Sequence, residues 1–245
     1  MSKKNCIIEI TTQDIFSVKA AIAGGAQRVE LCSALDTAGL TPSIALIERT
    51  VEIARAAGLR EFVTVLIRPR EGGFVYDEDE IETIIRDIRK AVAAGVDSVV
   101  VGALNRDGKV DEDALLRMIE AASGTSITFH RAFDVAIDQF SELDTLVKMG
   151  VDRILTSGAA SKTGDGIERI KELVAHADSR IEIMAGGGVR ISDIPNLVKA
   201  GVDAIHLSAK RTITAGPTRP GESASFTQAD VEIVRAAVNA TQIEH

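Results

Sequence analysis

The sequence predicts a single-domain (β/α)₈ barrel, and three observations support this prediction. Eight short segments rich in β-branched residues alternate with eight longer segments of helical periodicity. Parallel neighbouring strands need a crossover connection, usually a helix, and eight such units close into a barrel. The chain has 245 residues, a length at which barrels commonly form one domain. We therefore expect a single domain over residues 1–245.

The predicted strands are short and apolar, and polar or glycine-containing turns separate them from the helices. They cover residues 7–11, 28–32, 62–67, 98–102, 126–129, 153–156, 181–184 and 204–207. Several predicted helices begin after a residue that can cap the first turn, such as Ser43. The helices cover residues 14–23, 43–57, 79–94, 111–122, 139–149, 165–177, 191–199 and, at the C-terminus, about 227–240.

A short glycine motif recurs where a helix ends before every second strand. Residues 23–26, 94–97, 149–152 and 200–203 have the sequences AGGA, AGVD, MGVD and AGVD. Glycine suits the left-handed residue that ends a helix, and Asp suits the tight turn after it. We interpret these motifs as stabilising features at the bottom of the barrel. Function is then expected in the loops at the opposite end, above all 33–42 and 69–77.

Composition excludes several kinds of partner. The chain carries 28 basic and 36 acidic residues, a net charge of −8, which disfavours nucleic acid or an anionic membrane as partner. No long apolar segment indicates a signal peptide or a membrane span. The two cysteines give no disulfide framework, so we expect a cytoplasmic protein.

The strongest candidate for function is the segment 128–134, which has the sequence TFHRAFD. A predicted strand ends there in three ionisable side chains, those of His130, Arg131 and Asp134. Side chains at the carboxyl ends of barrel strands lie at the mouth, where ligands bind. The alternative is a capped strand end with a salt bridge, but other predicted strands end in the same way.

Strand alternation assigns further polar side chains to the barrel interior. It turns Glu9, Glu30, Arg68, His130 and His206 inward, towards one rim. Because carboxylates and imidazoles together can transfer protons, Glu9, Glu30, His130 and His206 are our candidate catalytic residues. The alternative for the two carboxylates is a buried ion network with arginines that closes the barrel.

Two groups of residues are candidates for binding an anion. Arg68 and Arg70 flank Pro69, which stiffens the loop and sets the spacing of two guanidinium groups. Alternatively, these arginines pair with loop carboxylates. Three glycines follow the seventh strand, where exposed backbone amides often bind phosphate in barrels. The expected substrate-binding residues are Arg68, Arg70, Arg131, Asp134, Ser157, Gly186, Gly187, Gly188 and Ser208.

These motifs resemble those of the CutC family, in the same order along the chain, from about residue 6 to 210. The segments that carry the resemblance are 8–10, 28–33, 39–43, 67–70, 74–76, 128–134, 153–158 and 186–188. It implies a single-domain barrel with a CutC-like core, in the cytoplasm, as a homodimer or higher homo-oligomer, with a role in copper homeostasis. The sequence departs from the family at Ala38, in the loop 159–166 and in the tail after Lys210.

Copper is the metal that this resemblance implies. Cu(I) prefers soft sulfur ligands, and the family's proposed cysteine ligands are matched here by Cys32. Alternation sets Cys6 and Cys32 on opposite faces of the barrel wall, so the two should not bind one ion together. Met184 more often serves core packing. We therefore expect a weak Cu(I) site, not a tight one.

Two hypotheses of different classes remain at this point. As a metal-handling protein, the chain would bind copper through Cys32, with help from histidine or methionine, and perform no chemistry. As an enzyme, it would act on a small anionic, phosphorylated substrate by acid–base chemistry, as a lyase, isomerase or hydrolase. The polar mouth favours the enzyme, whereas the family resemblance favours copper.

Overall fold

The computed structural model describes residues 6–214, 216–219 and 223–242. Eight parallel strands form a closed barrel in which each strand pairs with the next in the chain and the eighth pairs with the first. The strands are β1 Ile7–Thr12, β2 Arg28–Leu31, β3 Val63–Leu66, β4 Ser98–Val101, β5 Ser126–Phe129, β6 Arg153–Thr156, β7 Glu182–Gly186 and β8 Ala204–Leu207. The predicted (β/α)₈ barrel is therefore confirmed.

Helices cover the outside of the barrel, one after each strand. They are α1 Ile15–Gly24, α2 Ile44–Ala56, α3 Glu78–Ala93, α4 Glu112–Ala122, α5 Gln139–Met149, α6 Ile167–Ala177, α7 Ile194–Ala200 and α8 Val231–Ala240. The expected cap at Ser43 is present, since its side chain accepts a hydrogen bond from the Leu46 amide. No helix within the described residues is both long enough and apolar enough to cross a bilayer.

The C-terminal helix begins later than the sequence predicts. Residues 227–229 belong to strand β10, Ser225–Ala229, which pairs antiparallel with β9, Lys210–Thr214. The β-branched and aromatic residues of these two segments favour pairing over helix. Helix α8 starts only after Asp230, whose side chain accepts the amide of Glu232. The segment between β8 and α8 therefore contains a pair of antiparallel strands that the sequence analysis missed.

Apolar side chains are distributed unevenly between the two sides of the barrel wall. The large continuous core lies between the strands and the helices. Among the described residues, the barrel interior contains two small apolar clusters, one formed by Cys32, Leu66 and Val100 and the other by Leu155, Met184 and Ala204. Many other side chains inside the barrel are polar or charged, and several of them form the candidate functional site described below.

The recurring glycine motifs anchor the starts of the odd-numbered strands. Gly25, Gly95, Gly150 and Gly201 all have positive φ angles, between 79° and 88°. Just after each glycine, a side-chain oxygen accepts a hydrogen bond from a backbone N–H at the start of the preceding odd-numbered strand. The acceptors and their donors are Gln27 with Ile8, Asp97 with Phe62 and Val63, Asp152 with Ile127, and Asp203 with Ile183. The motifs thus act as the stabilising features that the sequence predicts.

Replacing Asp152 by Ala should lower the free energy of unfolding by about 1–2 kcal/mol, because the Ile127 amide then loses its acceptor. Asp152→Asn keeps a side-chain oxygen and should lose less than about 1 kcal/mol. Urea unfolding followed by circular dichroism measures both changes. Equal losses in the two variants would contradict the role of this oxygen.

Candidate functional site

A cavity of about 530 Å³ opens at the carboxyl ends of the barrel strands. Of the predicted catalytic residues, Glu30, His130 and His206 line it. Of the predicted substrate-binding residues, Arg68, Arg131, Asp134, Gly187, Gly188 and Ser208 line it. Glu9, Ser157, Gly186 and Arg70 are not part of the lining among the described residues, and each has a different place.

Below the cavity lies a buried ion network. Glu9 is fully buried and forms a salt bridge with Arg28, which also contacts Glu182 at 3.0 Å. Arg153 completes the network at 2.7 Å from the same Glu182 oxygen. Burial alone would raise the pKa of Glu9, but Arg28 and His206 hold it at about 2. Glu9 therefore stays ionised at neutral pH and acts beneath the cavity, not as a residue that touches a ligand.

His206 connects this network to the cavity. Its Nδ1 lies 2.8 Å from Glu9 Oε1 and its Nε2 lies 2.7 Å from Thr11 Oγ1. Burial alone would lower the pKa of His206, but the carboxyl groups of Glu30 and Glu9 raise it above the ordinary value. As an imidazolium, the ring can donate from both nitrogens, to Glu9 and to Thr11.

Glu30 has the opposite character to Glu9. Its side chain accepts no hydrogen bond from any residue in the described ranges, and the nearest cation is His206 Nε2, 3.7 Å from Oε2. Burial, together with the charge of Glu9, raises its pKa to about 7 against the lowering effect of His206. Glu30 is therefore a carboxyl group that exchanges its proton near neutral pH while facing a cavity.

His130 lies at the end of β5 and is neutral. Its Nδ1 accepts a hydrogen bond from the Ala132 amide at 3.2 Å, which leaves the proton on Nε2. Burial and the nearby Arg68 lower the pKa of His130 to about 3. The ring lies against Gly102, where an added Cβ would be only 2.5 Å from Nδ1 and Cε1. The last residue before the β4 loop is thus a glycine because the imidazole needs its space.

The imidazole of His206, like that of His130, lies beside a glycine at the end of the preceding strand. His206 lies beside Gly186, the last residue of β7, where an added Cβ would approach His206 Cβ to 2.9 Å. An added Cβ would also lie 2.5 Å from Leu155 Cδ1, so Gly186 leaves space for both side chains. This residue is not part of the cavity lining, and substrate binding by Gly186 stays a prediction. Only Gly187 and Gly188 of the glycine run line the cavity.

Arg131, Asp134 and Ser157 form one hydrogen-bonded unit at the mouth. Asp134 accepts hydrogen bonds from Arg131 Nε, the Thr156 and Ser157 hydroxyl groups and the Ser157 amide. Arg131 also donates to the Ser157 hydroxyl at 2.9 Å. Ser157 is fully buried, so it positions the arginine and does not face the cavity. The strand-end salt bridge that the sequence analysis considered is therefore present, but the Arg131 side chain stays 40% exposed at the rim.

A positive region faces the glycines. Gly187 has φ 115°, and a Cβ there would lie 2.8 Å from Cζ of Arg131, so the guanidinium rests on the peptide. The amides of Gly187 and Gly188 donate to no acceptor within residues 6–214, 216–219 and 223–242. Ser208 and Lys210 follow β8 and line the same part of the cavity.

The paired arginines of the β3 loop have structural partners. Arg68 donates to the carbonyl oxygens of Thr37, Gly39 and Gly72, so it ties the loop after β2 to the loop after β3. Arg70 forms a salt bridge with Glu80 and lies over the Tyr76 ring, outside the cavity. The structure therefore supports the alternative of carboxylate pairing for Arg70 and corrects its assignment to substrate binding.

The sequence analysis missed several residues of the site. Arg28 lies two residues before Glu30 and therefore on the same face of β2, so alternation could have identified it. Arg153, the first residue of β6, could have been identified by alternation as well. Thr11 lies two residues after Glu9 on β1, so the same alternation turns it inward. Lys210 carried no such signal, because its position depends on the path of the chain after β8.

Copper can be tested against the sulfur donors that are present. Cys6 precedes β1 and Cys32 follows β2, so they lie at opposite ends of the barrel. Burial raises the pKa of the Cys6 thiol to about 12. Burial and the charge of Glu30 raise that of Cys32 further still, which disfavours the thiolate that binds Cu(I). Met184 is fully buried and accepts a contact from Arg28 at 3.4 Å. These donors do not fit a tight Cu(I) site.

Oxygen and nitrogen donors come closer together. One atom each from Glu9, Glu30 and His206 lie within 4.8 Å of one another. However, both nitrogens of His206 have partners and Glu9 is paired with Arg28. The three groups therefore form a hydrogen-bonded charge network in which only Glu30 is uncommitted.

The amino-acid sequence matches one known family and its members. A model of the CutC family matches residues 6–211 of the chain. A family protein CutC of Bacteroides fragilis is 39% identical over 224 residues, which cover 91% of this chain and 88% of the relative. A family protein CutC of Xanthomonas campestris pv. campestris is 40% identical over 242 residues, which cover 96% and 98%.

Solved structures show the same likeness. The "Putative Copper Homeostasis Protein CutC" from Streptococcus agalactiae has a TM-score of 0.77 at 34% identity and covers 83% of this chain and 98% of that one. Thiamine phosphate pyrophosphorylase from Pyrococcus furiosus has a TM-score of 0.60 at 16% identity, covering 98% of this chain and 96% of that one. This second likeness shows the fold alone.

The raised pKa of Glu30 predicts a specific dependence of stability on pH. Between pH 4.5 and 7 the folded chain keeps a proton that the unfolded chain has released, so rising pH destabilises the fold. Relative to Glu30→Gln, wild type should lose on the order of 3 kcal/mol of unfolding free energy across this window. Urea unfolding of both proteins at pH 5, 6, 7 and 8 measures the difference. Parallel curves would contradict the raised pKa.

Proposed function

The chain belongs to the CutC family, and from that premise we propose that its barrel mouth is the active site of an enzyme that performs acid–base chemistry on a small anionic molecule. The observation that carries this proposal is the state of Glu30. Its carboxyl group faces a cavity without a hydrogen-bond partner among the described residues and has a pKa of about 7. A structural carboxylate of a barrel interior would be paired, as Glu9 is.

The surroundings of Glu30 suit proton transfer. A general acid or base works best when its pKa lies near the working pH, because both forms are then populated. His206 lies 3.7 Å from Glu30, and its positive charge stabilises the carboxylate after proton release. Glu9, kept ionised by Arg28, stabilises that positive charge. Glu30 would therefore be the residue that exchanges a proton with substrate, and Glu9 and His206 would set its pKa.

The opposite side of the cavity suits an anionic group. The amides of Gly187 and Gly188, the hydroxyl of Ser208 and the cations Arg131 and Lys210 lie around it. Barrels commonly bind phosphate in the loops after the seventh and eighth strands, where these residues occur. We expect a phosphate or carboxylate there, with the reacting part of the molecule towards Glu30. A lyase, isomerase or hydrolase reaction is compatible with this arrangement.

Copper handling is the second candidate. It is favoured by the position of Cys32 in the cavity wall and by the description of the Streptococcus agalactiae relative. Two facts weigh against tight Cu(I) binding: the Cys32 thiol is protonated, and Cys6 lies at the opposite end of the barrel. A cytoplasmic location and a homo-oligomeric state stay predictions from the family resemblance.

Inorganic phosphate should bind at the glycine run and shift the amide signals of Gly187 and Gly188 in NMR titrations. Arg131→Met should weaken this binding about tenfold, because a charge-assisted hydrogen bond is lost. The matched control is Arg70→Met, which removes an equal charge paired with Glu80 outside the cavity. Equal effects of the two variants, or no shift at the glycines, would contradict an anion site here.

A competition titration with a chromogenic Cu(I) chelator tests the copper alternative. We expect the chelator to keep the metal, and Cys32→Ser to make no difference, because the buried thiol stays protonated. One equivalent of Cu(I) that resists the chelator in wild type and is released in Cys32→Ser would establish copper as the ligand.

A further inference from the structure

His130 carries a hydrogen-bond donor that no described residue satisfies. Its imidazole is 5% exposed and lines the cavity, and Nε2 has no partner within residues 6–214, 216–219 and 223–242. Burying an N–H group without an acceptor costs about 1–3 kcal/mol. An apolar residue of similar size would avoid that cost, so the group requires an explanation beyond packing.

We infer that His130 Nε2–H is the donor for a carbonyl oxygen of the substrate, and that the substrate is a small anionic carbonyl compound with an acidic hydrogen beside the carbonyl. This inference rests on the proposed function and adds the chemical class of the substrate. It follows from three positions around one cavity: the free carboxyl of Glu30, the imidazole of His130 and the amides of Gly187 and Gly188.

The structure fixes the ring in the form that this role needs. The Ala132 amide donates to Nδ1 at 3.2 Å, so Nδ1 is the acceptor and Nε2 carries the proton. The Gly102 backbone on one side and the Phe129 and Phe74 rings restrict its rotation, with ring centres 6.0 Å and 4.9 Å away. A neutral imidazole held in place donates a hydrogen bond without giving up its proton.

Phe74 is the aromatic neighbour of the donor in the cavity wall. Its ring contacts the imidazole and is itself part of the cavity wall. Its backbone is anchored, because the Leu104 amide donates to the Phe74 carbonyl at 2.8 Å. In this inference, the Phe74 side chain rotates to let the substrate reach Nε2, while the anchored loop stays in place. The cost of that rotation is offset when the buried N–H gains an acceptor.

The resulting step is a proton transfer next to a carbonyl. The Glu30 carboxylate takes the proton from the carbon beside the carbonyl, and the C–H electron pair becomes a C=C bond. The carbonyl π pair moves to oxygen, where His130 Nε2–H stabilises the negative charge. Protonated Glu30 then returns the proton to the first carbon, and the carbonyl bond re-forms. If the first carbon carries a hydroxyl group, the proton can instead go to the former carbonyl carbon, while the hydroxyl proton passes to the former carbonyl oxygen and a new carbonyl forms at the first carbon. The step needs no oxidant or reductant, and the enzyme recovers its starting form.

The test uses the full-length chain with ¹⁵N-labelled histidine and two probes. Inorganic phosphate probes the anion site alone, and phosphoglycolohydroxamate combines a phosphate with planar oxygens that resemble the deprotonated carbonyl compound. We expect both probes to shift the amides of Gly187 and Gly188. Only the hydroxamate should move the Nε2 signal of His130, and it should bind at least about tenfold more tightly than phosphate.

Three variants assign this gain to the donor. His130→Leu should remove the tenfold preference and leave phosphate binding unchanged, since Leu is apolar and of similar size. His130→Gln retains an N–H donor and should restore part of the preference. The matched control is His176→Gln, in α6 away from the cavity, which should change neither affinity.

The outcomes separate this inference from the proposed function. If phosphate shifts the glycine amides but the hydroxamate binds no more tightly and leaves His130 unmoved, the carbonyl class is wrong and the anion site stands. If neither probe shifts the glycines, both proposals fail. If His130→Leu keeps the full preference, the donor is another residue and the inference is overturned.

Discussion

The salt bridge between Arg28 and Glu9 is the interaction on which the mouth depends. A carboxylate that is fully removed from water is unstable unless it is paired, and Glu9 has no exposed surface. Arg28 provides the charge, and Glu182 with Arg153 extends the pairing below. Because Glu9 stays ionised, His206 above it is stabilised as a cation. The protonation of Glu30 is then set by a cation at 3.7 Å and an anion one layer below.

The same barrel rim holds two imidazoles in opposite states. Burial lowers the pKa of both rings, but the carboxyl groups beside His206 reverse this effect and raise its pKa. Beside His130 lies Arg68, whose charge acts in the same direction as burial, and the pKa of His130 is lowered to about 3. Both rings use the space beside a glycine of the preceding strand's end, Gly186 and Gly102 respectively. Strand geometry therefore places the rings alike, and the neighbouring charges decide their chemistry.

The arginines of the mouth differ in how far their guanidinium groups are occupied by other residues of the protein. The guanidinium of Arg68 is occupied by loop carbonyl oxygens, and that of Arg70 by Glu80. Arg131 is also paired, but its partner Asp134 fixes it against the Gly187 peptide, with part of the group exposed. A cluster of arginines in the sequence thus provides loop closure as well as charge, and only the partners of each guanidinium distinguish the two roles.

Sequence patterns by themselves determined the barrel and the direction of its polar side chains. The twofold period of a strand sends Glu9, Glu30, His130 and His206 inward whatever their partners are. The glycines at positive φ were predictable for the same local reason, since few other residues adopt that conformation.

Tertiary structure alone decided which groups pair. Glu9 meets His206 across 197 residues of sequence, and the register of β1 against β8 brings them together. The register of β1 against β2 pairs Glu9 with Arg28, whereas Glu30 has no hydrogen-bond partner among the described residues and only His206 at 3.7 Å. Arg70 points away from the cavity and pairs with Glu80. Ion pairing and pKa depend on distances of a few ångströms between distant segments. Local patterns do not contain these distances, because they arise only when the eight strands close.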